Sequence, residues 1–166
     1  MEGVAGEQST DPADRRRAAA LLSHHATTDD VGIRYVIEEA RAADRMPQLL
    51  AAVIDHGGRL LAVLRTDMGI ADVRSMLDTW AKQTENVDWC RAASCFIARF
   101  QGLHDVFNGH VANAVADGRM AELVNTTAGS LLAVMPELHS PRGRASLEHI
   151  TAMMSGEEPP DGAAAS

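Results

Sequence analysis

The residues with the most chemistry to offer are seven histidines and two cysteines. His110, Asn113 and Asp117 stand at i, i+3 and i+7, so on a helix they share one face. With His104 and Asp105 just upstream, they form the best candidate for metal ligation or acid–base work: His104, Asp105, His110 and Asp117. Such a column in a helical bundle needs help from a facing helix. Glu38, Glu39 or His56 are the residues to supply it. Two features weigh against a metal. His104 lies about 120° around a helix from His110, and no Glu-x-x-His pair occurs. The plainer reading makes His110 a hydrogen-bonded histidine at the core edge and Asp105 a helix N-cap. His24 and His25 sit near a helix end, where a cationic ring suits the carbonyl dipole.

The cysteines carry less. Cys90 and Cys95 are five positions apart. On a helix they point about 140° away from each other, which prevents a disulfide between them. Both read as reduced, partly buried thiols of a cytoplasmic protein. No Gly-x-Ser-x-Gly elbow, no Gly-x-x-x-x-Gly-Lys loop and no dinucleotide fingerprint occurs. No cofactor is expected, and no enzyme. The 166-residue chain has a formal net charge of −8, which speaks against phosphate-driven nucleic-acid binding. Its densest basic run, Arg15-Arg16-Arg17, reads as a solvated first helical turn. No apolar run is long enough for a membrane helix.

The strongest pattern is internal repetition. A 74-residue shift places Asp14, Arg17 and Ala18 on Asp88, Arg91 and Ala92, and Arg45, Met46 and Leu49 on Arg119, Met120 and Leu123. Three residues removed from the first copy bring Gly58, Leu60 and Leu61 onto Gly129, Leu131 and Leu132. The original shift then returns at Gly69 and Gly143. There are about 16 identities in all, spread over both copies in one order. The expectation is a tandem duplication: a first unit over 11–84, a second over 85–155, and poorly ordered tails at 1–10 and 156–166. No His, Cys or acidic pair recurs in both copies, so a site shared symmetrically by both units is not expected. Arg45 and Arg119 are the polar repeat of most interest. Each can tie a helix junction together, or hold a carboxylate of a partner on a surface groove.

Helices are the elements that position these residues. Asp11 and Pro12 make an N-cap and first turn, with a helix to about His25. Thr27 to Asp30 breaks it and caps a second over about 30–44. A third begins near Pro47 and is expected to kink at Gly57-Gly58. A fourth covers about 70–82, with Ile70, Val73, Leu77 and Trp80 as its stripe. Asp88 is expected to cap the second unit. Trp89, Ala93, Phe96, Phe100, Leu103, Phe107, His110 and Ala114 then form one apolar seam, broken near Gly102. Helices over about 119–135 and 142–154 follow. No segment alternates as a strand does.

The expected fold is therefore all-α: two units of three or four helices packed as one array. The expected function is a non-catalytic cytoplasmic interaction or regulatory protein. It would bind a protein segment or a second copy of itself through an apolar groove or an outer helix face. A metal-binding bundle on the histidine column, and a DNA-associated regulator, are the alternatives.

Overall fold

The computed structural model describes residues 11–82 and 85–155. The expected loose tails at 1–10 and 156–166 lie outside the described residues. Eight α-helices follow one another: α1 (Pro12–Ala26), α2 (Asp30–Ala42), α3 (Met46–Leu64), α4 (Asp67–Ala81), α5 (Val87–Phe100), α6 (His104–Ala116), α7 (Met120–Val134) and α8 (Pro141–Ser155). A 3-10 turn, Pro136–His139, joins α7 to α8. Among the described residues there is no strand.

Local sequence explains most starts and stops. The Asp11 carboxylate accepts from the Ala13 amide at 2.8 Å, and Asp29 accepts from Gly32 at 3.0 Å. Thr66 and Ser140 cap α4 and α8 through the amides of Gly69 and Gly143. Each caps an otherwise orphaned amide of a first turn. Four helices end in a left-handed residue: Thr28 (φ 57°), Asp44 (φ 55°), Gly102 (φ 68°) and Gly118 (φ 68°). The following amide then reaches back five residues, as Arg45 does to Ala40 and Arg119 to Ala114, both at 2.8 Å. That bond satisfies a terminal carbonyl. Asp88 is not the cap of α5. Asn86 is, accepting from Asp88 and Trp89 at 3.1 and 3.2 Å. Asp105 likewise lies one residue inside α6, whose N-cap is Leu103.

The packing exchanges partners between the chain halves. α4 lies on α5, and α8 lies on α1. Trp80 and Trp89 meet edge-to-face across the α4–α5 contact, centroids 4.8 Å apart. α3 lies on α7, and α1 and α5 each also pack on the second and third helix of their own half. Leu49, Leu50, Ile54 and Leu60 of α3 are fully buried, as is Leu123 of α7. Side chains of this size contribute about 1.5–3 kcal/mol each on burial, so this central pair anchors the core. α3 is continuous through Gly57 and Gly58. The two glycines serve close approach. A Cβ on Gly57 would sit 2.7 Å from Leu131 Cδ1, and one on Gly58 would sit 2.8 Å from Phe100 Cε1.

The same 74-residue shift runs through these elements. It carries the bounds of α2 onto α6 and those of α4 onto α8. It carries Thr28 and Asp44 onto Gly102 and Gly118, and Thr66 onto Ser140.

Candidate functional site

Arg45 and Arg119 stand at the N-caps of α3 and α7, each beside a carboxylate of the first helix of its half. Arg45 donates from Nε to Asp14 at 3.3 Å and from Nη2 to the same carboxylate. Arg119 donates to Asp88 in the same forked manner, with Nε at 2.9 Å. Asp14 is wholly buried, and Arg17 donates to it as well at 3.2 Å. The Arg119 hydrogen bond holds the Asp88 carboxyl below the ordinary carboxylate range. Both arginines therefore hold internal carboxylates and tie the α2–α3 and α6–α7 junctions to α1 and α5.

The basic run is not simply solvated either. Arg15 donates to the Met154 carbonyl of α8, and Arg17 also reaches Glu39 at 3.0 Å.

The histidine column is spread out. His104 and Asp105 are exposed in the first turn of α6, and His110 is half-buried two turns on. Asp117, at the C-cap of α6, is ion-paired to Arg91. Burial, with the Arg91 charge second, pushes the His110 ring below its ordinary value. A guanidinium at this corner opposes a metal cation by simple charge repulsion. The proposed helpers are engaged elsewhere: Glu38 with Arg41, Glu39 with Arg17, and His56 inside the core. Among the described residues, no three His, Cys, Asp or Glu side chains come together as a group suited to a metal ion. His24 pairs with Asp29 at 2.9 Å, and His25 with Asn125 at 3.0 Å. Cys90 and Cys95 are both free, and burial pushes the Cys95 thiol up to about 12, far from nucleophilic use.

His56 is fully buried. Its Nδ1 lies 3.0 Å from the Ala52 carbonyl, and its Nε2 has no partner. Burial lowers its pKa, and does the same for His25 and His110. These rings are held neutral in the fold, while the unfolded chain takes up protons near pH 6.5. Stability from this source is present above that pH and falls as pH drops below it. The urea midpoint is expected to decline from pH 7.5 to 5.5, and a His56→Leu variant to decline less. An equal decline in the variant would remove His56 as a source.

The feature that stands apart is a groove of about 180 Å³ between α3, α4 and α5. Leu61, Val73 and Leu77 form its buried wall, and Ile70, Phe100 and Arg74 its more exposed rim. A second, wider groove of about 410 Å³ lies between α1 and α8, with Arg144, Leu147, Glu148 and Thr151 along its α8 side. These four residues are Ile70, Val73, Arg74 and Leu77 moved by 74 positions. The two grooves share this one stretch of equivalent positions; their other walls differ, with Gly58, Leu61 and Phe100 in the first and Ala19, Ala20 and Ser23 in the second. One is apolar with a single arginine. The other carries two charged residues, Arg144 and Glu148, among Leu147, Thr151, Ser23 and the alanines Ala19, Ala20 and Ala152.

Sequence reasoning had Ile70, Val73, Leu77 and Phe100 as apolar seams and missed the groove. The signal was present in the same self-comparison: Ile70 against Arg144 and Leu77 against Thr151. Ile70 is only partly buried and is the position that turns charged, whereas Leu77 stays within the buried core. No helix among the described residues is long and apolar enough to cross a membrane. No family model, curated protein or solved structure matches the chain.

Proposed function

We propose that the chain is a tandem duplication of a four-helix unit, 11–84 and 85–155, acting as a non-catalytic protein that binds another protein. Three matches at the 74-residue shift support the duplication. They are the bounds of α2 with α6 and of α4 with α8, the left-handed helix ends, and the Asp14–Arg45 and Asp88–Arg119 pairs. The exchange of α4 and α8 between halves is what a two-fold interface produces when its two subunits join into one chain. Two free thiols suit a reducing compartment such as the cytoplasm.

One observation carries the binding role. The groove beside α4 presents Ile70, Arg74 and Leu77 where the groove beside α8 presents Arg144, Glu148 and Thr151. Exposed apolar residues cluster on the same segments: Val63 and Met68 beside the α3–α4 turn, and Leu103 and Val106 just after Phe100. On the internal alignment Val63 meets Val134, whereas Met68, Leu103 and Val106 meet Arg142, Asp29 and Gly32. An apolar surface retained on one side only marks an interaction site.

Native mass spectrometry on chain purified from its host, without chelator, tests this. A co-purifying protein is expected with the wild type and with a Glu148→Arg variant of the polar groove. It is expected to be lost with Ile70→Arg. A partner retained by Ile70→Arg, or a bound metal in its place, counts against the reading.

A further inference from the structure

We propose that the α3–α4–α5 groove is an anchor pocket for one apolar side chain of a partner segment that carries an acidic residue beside it. This rests on the protein-binding reading above.

Size selects the anchor. Pockets for drug-sized ligands and cofactors run to about 300–1,000 Å³. An apolar cavity of about 150 Å³ holds a single benzene ring. At about 180 Å³ the groove fits one Leu, Met or Phe side chain and is too small for a nucleotide or flavin. Its wall is already desolvated, because Leu61, Val73 and Leu77 are buried. That is the setting in which a single interface residue dominates affinity.

Charge selects the neighbour. Arg74 is the one charged residue lining the groove. It lies one helical turn beyond Ile70, is exposed, and joins none of the ion pairs among the described residues. A carboxylate about a turn from the anchor can take its guanidinium in a charge-assisted pair. The chain's net charge of −8 does not override this. Charges further off than about 8 Å are screened at physiological salt, so the nearest group decides. In the α1–α8 groove the counterpart of Arg74 is Glu148, and Ile70 is replaced by Arg144. An acidic, apolar-anchored segment is therefore accepted on one side and refused on the other.

The test is selection from a random peptide display library on the full-length protein. Enriched peptides are expected to share one Leu, Met or Phe with an Asp or Glu within four residues. A synthetic peptide of that class should lose at least tenfold in affinity to Ile70→Arg. With Arg74→Glu, selection should turn towards Lys and Arg. Both substitutions copy the residue found at the matching place in the other half, and circular dichroism should show the helices unchanged. Peptides lost with Ile70→Arg but indifferent to Arg74→Glu overturn the acidic preference and leave the protein-binding reading standing. Peptides indifferent to Ile70→Arg, or no enrichment at all, overturn the pocket itself. Octanoate binding that shifts the Phe100 ring signals as a peptide does would make the groove a small-ligand site and also overturn the proposal.

Discussion

An Arg45→Ala variant is expected to lose about 3 kcal/mol of folding stability, read as a lower urea midpoint at unchanged slope. The cost comes from the partner left behind. Asp14 has no exposed surface, and a buried carboxylate without compensation is destabilising well beyond the worth of the pair it has lost. Arg17 stays at 3.2 Å and keeps the loss from being larger. The equivalent Arg119→Ala change should cost less. The Asp88 side chain keeps 12% of its surface exposed, so water can replace part of what Arg119 supplied. The order of the two effects is the sharp part of the expectation. Asp14→Asn combined with Arg45→Ala should recover part of the loss, because the uncompensated charge is gone. An unchanged midpoint for Arg45→Ala would sink this account and return Arg45 to the list of free surface cations.

That result bears on how much of the molecule can be read from sequence. The all-helical fold, the break at Gly102 and the Asp11 and Asp29 caps were legible because they are local. Each depends on residues within one turn of each other. The recurrence of Asp14 with Arg45, and of Asp88 with Arg119, was also visible. What was not visible was that the acid and the base in each pair are each other's partners, 31 positions apart. Helix periodicity gives the face a side chain occupies and not the helix that face meets. Gly57 and Gly58 show the same limit. Two adjacent glycines read as a kink, yet the constraint on them is Leu131 and Phe100 arriving from other helices. The histidine column failed for a related reason. Spacing placed His110, Asn113 and Asp117 on one face, but Arg91 from α5 claims Asp117. The groove between α4 and α5 also depends on tertiary placement. Its residues look like ordinary core seam, and only the packing of α3, α4 and α5 leaves Ile70 and Phe100 on an open rim.

One substitution is expected to have very different costs at two glycines 74 positions apart, Gly69 and Gly143. Gly69→Ala is expected to stay within about 0.5 kcal/mol of the wild type, because the better helix propensity of alanine is offset by a tight contact with Arg65. The nearest atom to a new Cβ there is Arg65 Cδ at 3.1 Å, a side-chain atom that needs to shift by only a few tenths of an ångström while its guanidinium stays on Glu137. Gly143→Ala is expected to destabilise by about 3 kcal/mol. Its Cβ would run into backbone: the Glu137 carbonyl oxygen first, then the Glu137 carbonyl carbon at 2.6 Å and Leu138 Cα at 2.8 Å. That backbone cannot step aside cheaply. Leu138 is fully buried, Arg65 grips Glu137 and the Val134 carbonyl, and the Ser140 hydroxyl donates to the Glu137 carbonyl at 2.6 Å. His139 adds a contact to the Ala26 carbonyl of α1 at 3.0 Å. Moving the 3-10 turn away from α8 therefore disturbs both α1 and the end of α3. The difference arises because α3 runs on to Leu64 as one helix, whereas α7 stops at Val134 and the chain tightens into the 3-10 turn before α8. Thermal unfolding of the two single variants beside the wild type decides it. Equal midpoints for Gly69→Ala and Gly143→Ala would mean that the 3-10 turn yields freely, and that its contacts with Arg65, Ser140 and Ala26 hold nothing in place.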